Sequence, residues 1–142
     1  MRDMEQLLRD VFEGDETRHL LMTDPFNPET TQTVHERASL EDIRRHLRGE
    51  IRIGLFPFTG EVDEVCWMCF DVDSGRQEDV GAIMSVVGEH LDYQPEVETS
   101  RSKGYHVWLW LDTGVQASNA RRIGLWVLEQ AGIRRQVEVF PK

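Results

Sequence analysis

The stretch EVCWMCFDVD, residues 64–73, combines a continuous apolar run with two carboxylates at its end. Short apolar runs rich in aromatic and branched residues indicate a buried β-strand. Side chains alternate between the two faces of a strand, so Asp71 and Asp73 fall on the same face, about 6.5 to 7 Å apart along the chain. The stretch therefore predicts a strand that leaves its sheet with two neighbouring acids.

This carboxylate pair has two interpretations. Two carboxylates held so close repel each other unless a cation lies between them, and Mg²⁺ and Mn²⁺ favour oxygen ligands of this kind. The simpler interpretation is that both acids solvate the exit of a strand, and for this stretch taken alone it is the better one. The rest of the chain has to decide between them.

Strand and helix patterns alternate around this stretch. Predicted strands span residues 51–58, 64–73, 96–100, 105–112 and 136–140, and predicted helices span residues 80–91 and 120–131. We expect a turn around Thr59 and Gly60 to join the first two strands, and a hairpin at residues 101–104 to join the next two. The order β-β-α-β-β-α-β predicts an α+β sheet of the RNA-recognition-motif type, with its helices mainly on one face.

Residues 1–50 are predicted to form a helical and irregular arm. The first dozen residues place their apolar side chains on one helical face, and TDPFNPETTQT, residues 23–33, is typical of a loop. Ser39 and Asp42 form a capping-box pattern that opens a second helix, which stops at Gly49. With a sheet core over residues 51–142, the 142 residues are expected to form one domain.

The composition indicates a soluble protein. Apolar residues make up 39% and charged residues 30%, and no apolar run approaches the length of a membrane span. The N-terminus carries acids where a signal peptide needs an apolar core, so a cytoplasmic location is expected and no membrane partner. Cys66 and Cys69 have no second pair to complete a zinc site, so we expect no zinc and favour core packing for both.

Charge is distributed unevenly along the chain. The net charge of −10 disfavours nucleic acid overall, but residues 1–100 carry 9 basic and 23 acidic side chains, whereas residues 101–142 carry 7 and 3. The C-terminal third is therefore the part suited to a polyanion.

The stretch SRSKGYH, residues 100–106, has the side chains of a phosphate site. It offers hydroxyls and cations at residues 100–103, a glycine at the turn and an imidazole. These are Ser100, Ser102, Arg101, Lys103, Gly104 and His106. A single strand histidine is usually a packed or surface residue. The spacing of His106 from Lys103 and Gly104 favours a phosphate-binding turn instead.

The stretch VEVFPK, residues 137–142, places an acid in a late strand. Glu138 faces away from Val137 and Val139, so it would lie beside the aspartate pair if the two strands are neighbours. Taken alone, a solvent-facing glutamate on an amphipathic strand is the preferred interpretation.

Together the three stretches resemble the catalytic motifs of the archaeo-eukaryotic primase superfamily, the primase-polymerases. The TSRSKGYHVW turn is similar to that of the polymerase domain of bacterial end-joining ligases. The stretches HLRGEIRIGLFPF, ETSRSKGYHVWLWL, NARRIGLWVLEQAG and VEVFPK resemble, in the same order, the primases of mobile elements and TOTE conflict systems. The resemblance covers roughly residues 40–142.

The resemblance implies a two-metal nucleotidyltransferase that takes nucleoside triphosphates and single-stranded or primed DNA, or RNA. It implies two Mg²⁺ or Mn²⁺ ions held by Asp71, Asp73 and Glu138, and a triphosphate gripped by Ser102, Lys103 and His106. Candidates for template or phosphate contacts are Arg101, Arg121, Arg122 and Lys142. A helicase, nuclease or ligase module is the expected partner.

Two alternatives stay open. The chain stops at Lys142, within the third motif, which indicates either an excised piece or a minimal version. A domain of this kind that binds nucleotide or nucleic acid without catalysis would serve as a subunit or regulator. An unrelated transferase that uses its DxD for a nucleotide-sugar would leave SRSKGYH and VEVFPK unexplained, and a large separation of Glu138 from Asp71 would favour it.

Overall fold

The computed structural model describes residues 3–58, 63–100, 103–134 and 137–142. Within these ranges the chain forms four α-helices and seven strands, and the strands make two sheets. The chain divides into two compact units, Met1–Glu64 and Val65–Lys142. In the described part no helix is long and apolar enough to span a membrane. The mixed α and β architecture is the one that the sequence predicts.

The first unit contains two helices and a three-stranded sheet. Its elements are α1 (Met4–Val11), β1 (His19–Met22), β2 (Thr31–Val34), α2 (Leu40–Leu47) and β3 (Arg52–Leu55). The central strand β1 pairs antiparallel with both β2 and β3. The predicted capping box is confirmed, since the Ser39 hydroxyl accepts from the Asp42 amide at 3.0 Å and Asp42 accepts from the Ser39 amide at 3.3 Å.

The expectation that residues 51–58 and 64–73 belong to one sheet is wrong. Strand β3 belongs to the first sheet, where Leu55 lies opposite His19 and Arg52 opposite Met22. Residues 23–33, predicted as a loop, contain a short 3₁₀ helix, Pro28–Thr30, and the start of β2. Apolar alternation identifies a strand but not its partner. Strand β1 has only four residues, and β2 is both short and polar, so neither pattern stands out in the sequence. The turn expected at Thr59 and Gly60 lies outside the described residues.

The remaining elements form a four-stranded sheet with two helices. They are β4 (Glu64–Val72), α3 (Gln77–Leu91), β5 (Glu96–Thr99), β6 (Tyr105–Gln116), α4 (Ala117–Gln130) and β7 (Val137–Phe140), with the strand order β5-β6-β4-β7. The stretch that opened the sequence analysis is therefore a central strand. The helices predicted at residues 80–91 and 120–131 are confirmed.

Both helices of this sheet lie on the same face. A Cβ added at Gly124 of α4 would overlap Val139 and would lie 3.2 Å from Met68 Cε. At the start of α3, the side-chain amide of Gln77 donates to the Tyr105 hydroxyl at 3.3 Å. Tyr105 lies on the same strand face as the buried Val107. This helical side also holds the fully buried Phe70, Val72, Ile83, Val87 and Val127. Asp71, His106 and Glu138 alternate with these residues and thus belong to the opposite face.

Candidate active site

Asp71 and Glu138 are direct partners across two neighbouring strands. In the antiparallel pair β4 and β7, Asp71 lies opposite Glu138, flanked by the pairs Phe70 with Val139 and Val72 with Val137. Side chains of directly opposed residues project from the same face with Cβ atoms about 4.5 to 5.5 Å apart. Glu138 was expected beside the aspartate pair only if the two strands are neighbours, and they are.

The turn after β4 packs against the turn before β6. A Cβ built on Gly104 would lie 2.5 Å from the Val72 carbonyl oxygen and 3.1 Å from Asp73 Cα. A Cβ on Gly75, where φ is +66°, would lie 2.5 Å from the Lys103 carbonyl oxygen. Only glycine allows backbones to approach this closely. The second aspartate and the Lys-Gly turn are therefore neighbours.

Lys103 itself has an uncommon backbone conformation. Its φ is 147°, a positive value that residues with a side chain rarely adopt. Such conformations persist where the surrounding structure imposes them, and they concentrate at functional sites. Here the surrounding structure is the backbone of residues 72–75.

His106 joins the carboxylates from the neighbouring strand β6. Its Nε2 lies 3.7 Å from Asp71 Oδ1, and its Nδ1 lies 3.1 Å from Glu98 Oε2. Glu98 is a site residue that the sequence analysis missed. The hairpin register pairs Glu98 directly with His106, and this pairing was the signal available in the sequence, because EVE and YHV flank one turn.

Lys142 pairs with the third acid. Its ammonium nitrogen lies 2.8 Å from Glu138 Oε2 and 5.0 Å from the centre of the Phe140 ring. The residue predicted to contact template or phosphate thus belongs to the same cluster as Glu138.

The surroundings of Asp71 disfavour its ionised form. Burial raises the pKa of its carboxyl group, and the charges of Asp73 and Glu138 raise it further, whereas His106 and Lys142 lower it. Its Oδ1 atom is buried and has no hydrogen-bond partner in the described part of the chain. A buried carboxylate oxygen with acidic neighbours and no donor is a favourable place for a cation.

The donor chemistry of this cluster suits a hard divalent ion. Asp71, Asp73 and Glu138 offer carboxylate oxygens, the ligands that Mg²⁺ and Mn²⁺ prefer, and the free Asp71 oxygen would gain a partner. As the side chains stand, the described residues contain no group of three or more His, Cys, Asp and Glu arranged to hold a metal ion. The buried Cys69 is a poor ligand, because burial raises the pKa of its thiol.

The other predicted residues take different positions. Arg101 and Ser102 lie outside the described residues. Arg121 donates to the backbone oxygens of Val139 at 3.1 Å and Pro141 at 3.2 Å, so it holds the strand that carries Glu138. Arg122 is exposed on α4.

One family comparison covers most of the chain. The profile of the TOTE conflict system, Archaeo-Eukaryotic Primase domain matches residues 23–142. The chain belongs to this primase family. No curated protein matches the chain. The match takes in all three motif stretches and begins well before residue 40, so much of the segment predicted as an arm lies within the primase domain.

In this primase domain, the motifs come together from separate strands. The structure brings Asp71, Glu138 and His106 into one cluster with Lys142, and it places the Lys103–Gly104 backbone beside Asp73. The arrangement combines acids that suit a cation with basic groups that suit phosphate oxygens.

Proposed function

We propose that this primase-family chain is a metal-dependent nucleotidyltransferase that forms phosphodiester bonds from nucleoside triphosphates on a single-stranded or primed template. Family membership supports the reaction class. The observation that carries the proposal is the direct pairing of Asp71 with Glu138, with the His106 imidazole 3.7 Å from Asp71. That cluster unites all three motifs of a primase-polymerase.

Asp71, Asp73 and Glu138 are the residues that would hold Mg²⁺ or Mn²⁺. Two such ions, when bound, would favour ionisation of the attacking 3′-hydroxyl and neutralise the triphosphate. The acids themselves would fix the position at which the hydroxyl and the phosphate meet. Two properties of Asp71 support this role: its raised pKa, and a buried oxygen with no hydrogen-bond partner in the described ranges. A bound cation would lower that pKa and give the oxygen a partner.

The basic groups would hold the triphosphate. His106 Nε2 faces Asp71, so a phosphate oxygen beside the carboxylates would lie within reach of the imidazole. Lys103 would add its ammonium charge, and Ser102 its hydroxyl. Lys142 now neutralises Glu138, and we expect it to turn towards phosphate when a divalent ion takes its place at that carboxylate.

We further propose that both compact units act as one catalytic domain whose sheet is of the RNA-recognition-motif type. The order β4-α3-β5-β6-α4-β7 and the shared helical face support that topology. Arg101 and Arg122 are proposed to contact the template, and the domain is proposed to work in the cytoplasm with a helicase, nuclease or ligase module.

A primer-extension gel assay tests the proposal. The purified chain would be given single-stranded and primed DNA or RNA, Mg²⁺ or Mn²⁺, and separate ribonucleotide and deoxyribonucleotide pools. We expect product from the unchanged chain and a loss of about 10²-fold or more in Asp71→Asn, since transition-state charge stabilisation is removed. Asp112→Asn, which removes an exposed acid of β6, is the matched control. Equal product from Asp71→Asn overturns the proposal.

The ion pair between Lys142 and Glu138 favours a second candidate. A lysine that neutralises the third acid at 2.8 Å suits a domain that binds nucleotide or nucleic acid without turnover, as a subunit or regulator. Calorimetric binding of nucleotide with no extension product, even with a partner module added, would favour this candidate. The large separation of Glu138 from Asp71 that would favour a nucleotide-sugar transferase is not found, since the two residues are direct partners.

A further inference from the structure

Glu98 of β5 meets two side chains of β6 with one carboxylate oxygen. Glu98 lies directly opposite His106 in the strand register. Its Oε2 accepts from the imidazole Nδ1 at 3.1 Å and from the Trp108 indole nitrogen at 3.0 Å. The motif stretches FDVD, SRSKGYH and VEVFPK do not include this glutamate, which is the first residue of the longer stretch ETSRSKGYHVWLWL.

We propose that Glu98 is a positioning residue that fixes the ring orientation of His106, so that Nε2 faces Asp71 and the nucleotide. The effect on catalysis rests on the proposed function, whereas the effect on the imidazole does not. A carboxylate accepts hydrogen bonds, so Glu98 holds the Nδ1 edge of the ring towards β5. Nε2 is then the atom presented to the site.

Trp108 makes the orientation of Glu98 specific. An indole nitrogen can only donate, so the carboxylate oxygen that serves His106 is held by a second donor with a fixed direction. The Trp108 ring in turn makes an edge contact with the buried Trp67, with centroids 5.5 Å apart, and stacks on Trp110 at 5.4 Å. The buried Trp67 therefore supports Trp108, which orients Glu98 towards the imidazole.

The exposure of Glu98 distinguishes positioning from a stabilising role. Its side chain is 58% exposed, and exposed ion pairs contribute little to folding stability. A second pair on the same strand provides the control, because Glu96 accepts from the Trp110 indole nitrogen at 2.9 Å in the same way but lies opposite Trp108 in the strand register. Loss of Glu98 should affect His106, and loss of Glu96 should not.

Long-range ¹H–¹⁵N spectra of the histidine rings test the contact between Glu98 and Nδ1 directly. His106→Ala assigns the His106 signals by their disappearance. We expect the Nδ1 signal at the same position in the unchanged chain, in Glu96→Ala and in Glu98→Gln, whose amide oxygen still accepts. We expect Glu98→Ala to move this signal. An unmoved Nδ1 signal in Glu98→Ala, or a signal moved equally by Glu96→Ala, overturns the proposal.

Kinetics test the consequence. Glu98→Ala should raise the nucleotide KM roughly two- to tenfold, the size of one hydrogen bond, with a smaller change in kcat and the same Tm. Glu98→Gln should restore most of the loss, and Glu96→Ala should match the unchanged chain. Equal KM values for Glu98→Ala and Glu96→Ala overturn the catalytic consequence. If the unchanged chain makes no product, the proposed function fails while the spectra still decide the role of Glu98.

Discussion

Asp15 in the first unit and Asp71 in the second are opposite cases of a partly buried aspartate. Asp15 accepts from the Thr17 amide at 2.8 Å, the Thr17 hydroxyl at 2.6 Å and Arg18 Nε at 2.8 Å, and these bonds lower its pKa. Asp71 keeps a buried oxygen that has no hydrogen-bond partner among the described residues, and burial and acidic neighbours raise its pKa. The first arrangement stabilises the fold, whereas the second opposes it, which is a signature of a functional site.

The buried apolar side chains are also divided unevenly between the two units. Among the described residues, Ala38, Ile43 and Ile51 are the buried hydrophobic residues of the first unit, and all the others belong to the second. The first unit instead carries a set of exposed ion pairs, such as Arg37 with Glu16 and Arg44 with Glu41. Asp71, whose ionised form is disfavoured, thus belongs to the unit that holds most of the buried apolar side chains.

Removing the centre of that core should have the largest effect. Phe70 is fully buried, so Phe70→Ala should lower the free energy of unfolding by about 3 to 5 kcal/mol. Leu47→Ala, at an exposed position of α2, should change it by less than about 0.5 kcal/mol. Urea unfolding followed by circular dichroism measures both. Equal losses would contradict the uneven distribution of the core.

Two glycines of the second unit should respond in opposite directions. Gly104→Ala would push a methyl group into the Val72 carbonyl, so we expect a loss of about 1 to 3 kcal/mol and a loss of extension activity. Gly81 of α3 has nothing within 4 Å of an added Cβ, so Gly81→Ala should stabilise by about 0.5 to 1 kcal/mol. A stable, active Gly104→Ala variant would show that the two turns need not touch.

The two aspartates should give stability profiles of opposite slope with pH. The raised pKa of Asp71 means that its contribution is present below its usual value of 3.8 and is lost as pH rises through the folded pKa. The contribution of Asp15, whose pKa is lowered, is present above 3.8 and is lost as pH falls. At pH 7, Asp71→Asn should gain about 0.2 to 1 kcal/mol, and Asp15→Asn should lose a similar amount.

Unfolding curves from pH 3 to pH 7 check these signs. Both differences from the unchanged chain should shrink towards low pH, where the carboxylates are protonated. An Asp71→Asn variant that is less stable at pH 7 would show that Asp71 already has a partner.

The exposed ion pairs of the first unit should give the smallest effect. Arg37 Nη1 lies 2.7 Å from Glu16 Oε1, and the two side chains are 37% and 66% exposed. Arg37→Ala should therefore cost less than about 1 kcal/mol, and the loss should diminish in 1 M salt because exposed charges are screened. Thermal melts at two salt concentrations measure it, with exposed Arg122→Ala as the control. A larger, salt-independent loss would indicate that packing dominates.

Local pattern predicted the helices, the capping box and the strands of the second sheet. Each depends on spacing within one segment, as in Ser39 with Asp42 or the alternation from Val65 to Asp71. The partner of β3 depends on a distant strand of four residues, which leaves little trace in the sequence. The Asp71–Glu138 pairing could be stated only as a condition. Glu98 was missed because hairpin register, rather than residue type, makes it a neighbour of His106.

The Arg121 contacts give the cluster a dynamic property. The guanidinium on α4 joins two carbonyl oxygens on either side of Phe140, so the four-residue edge strand that carries Glu138 is held by a helix on the far side of the sheet. Edge strands of this length open locally at a small free-energy cost unless such contacts tie them down. Hydrogen exchange of the β7 amides should therefore report how often Glu138 lies paired opposite Asp71.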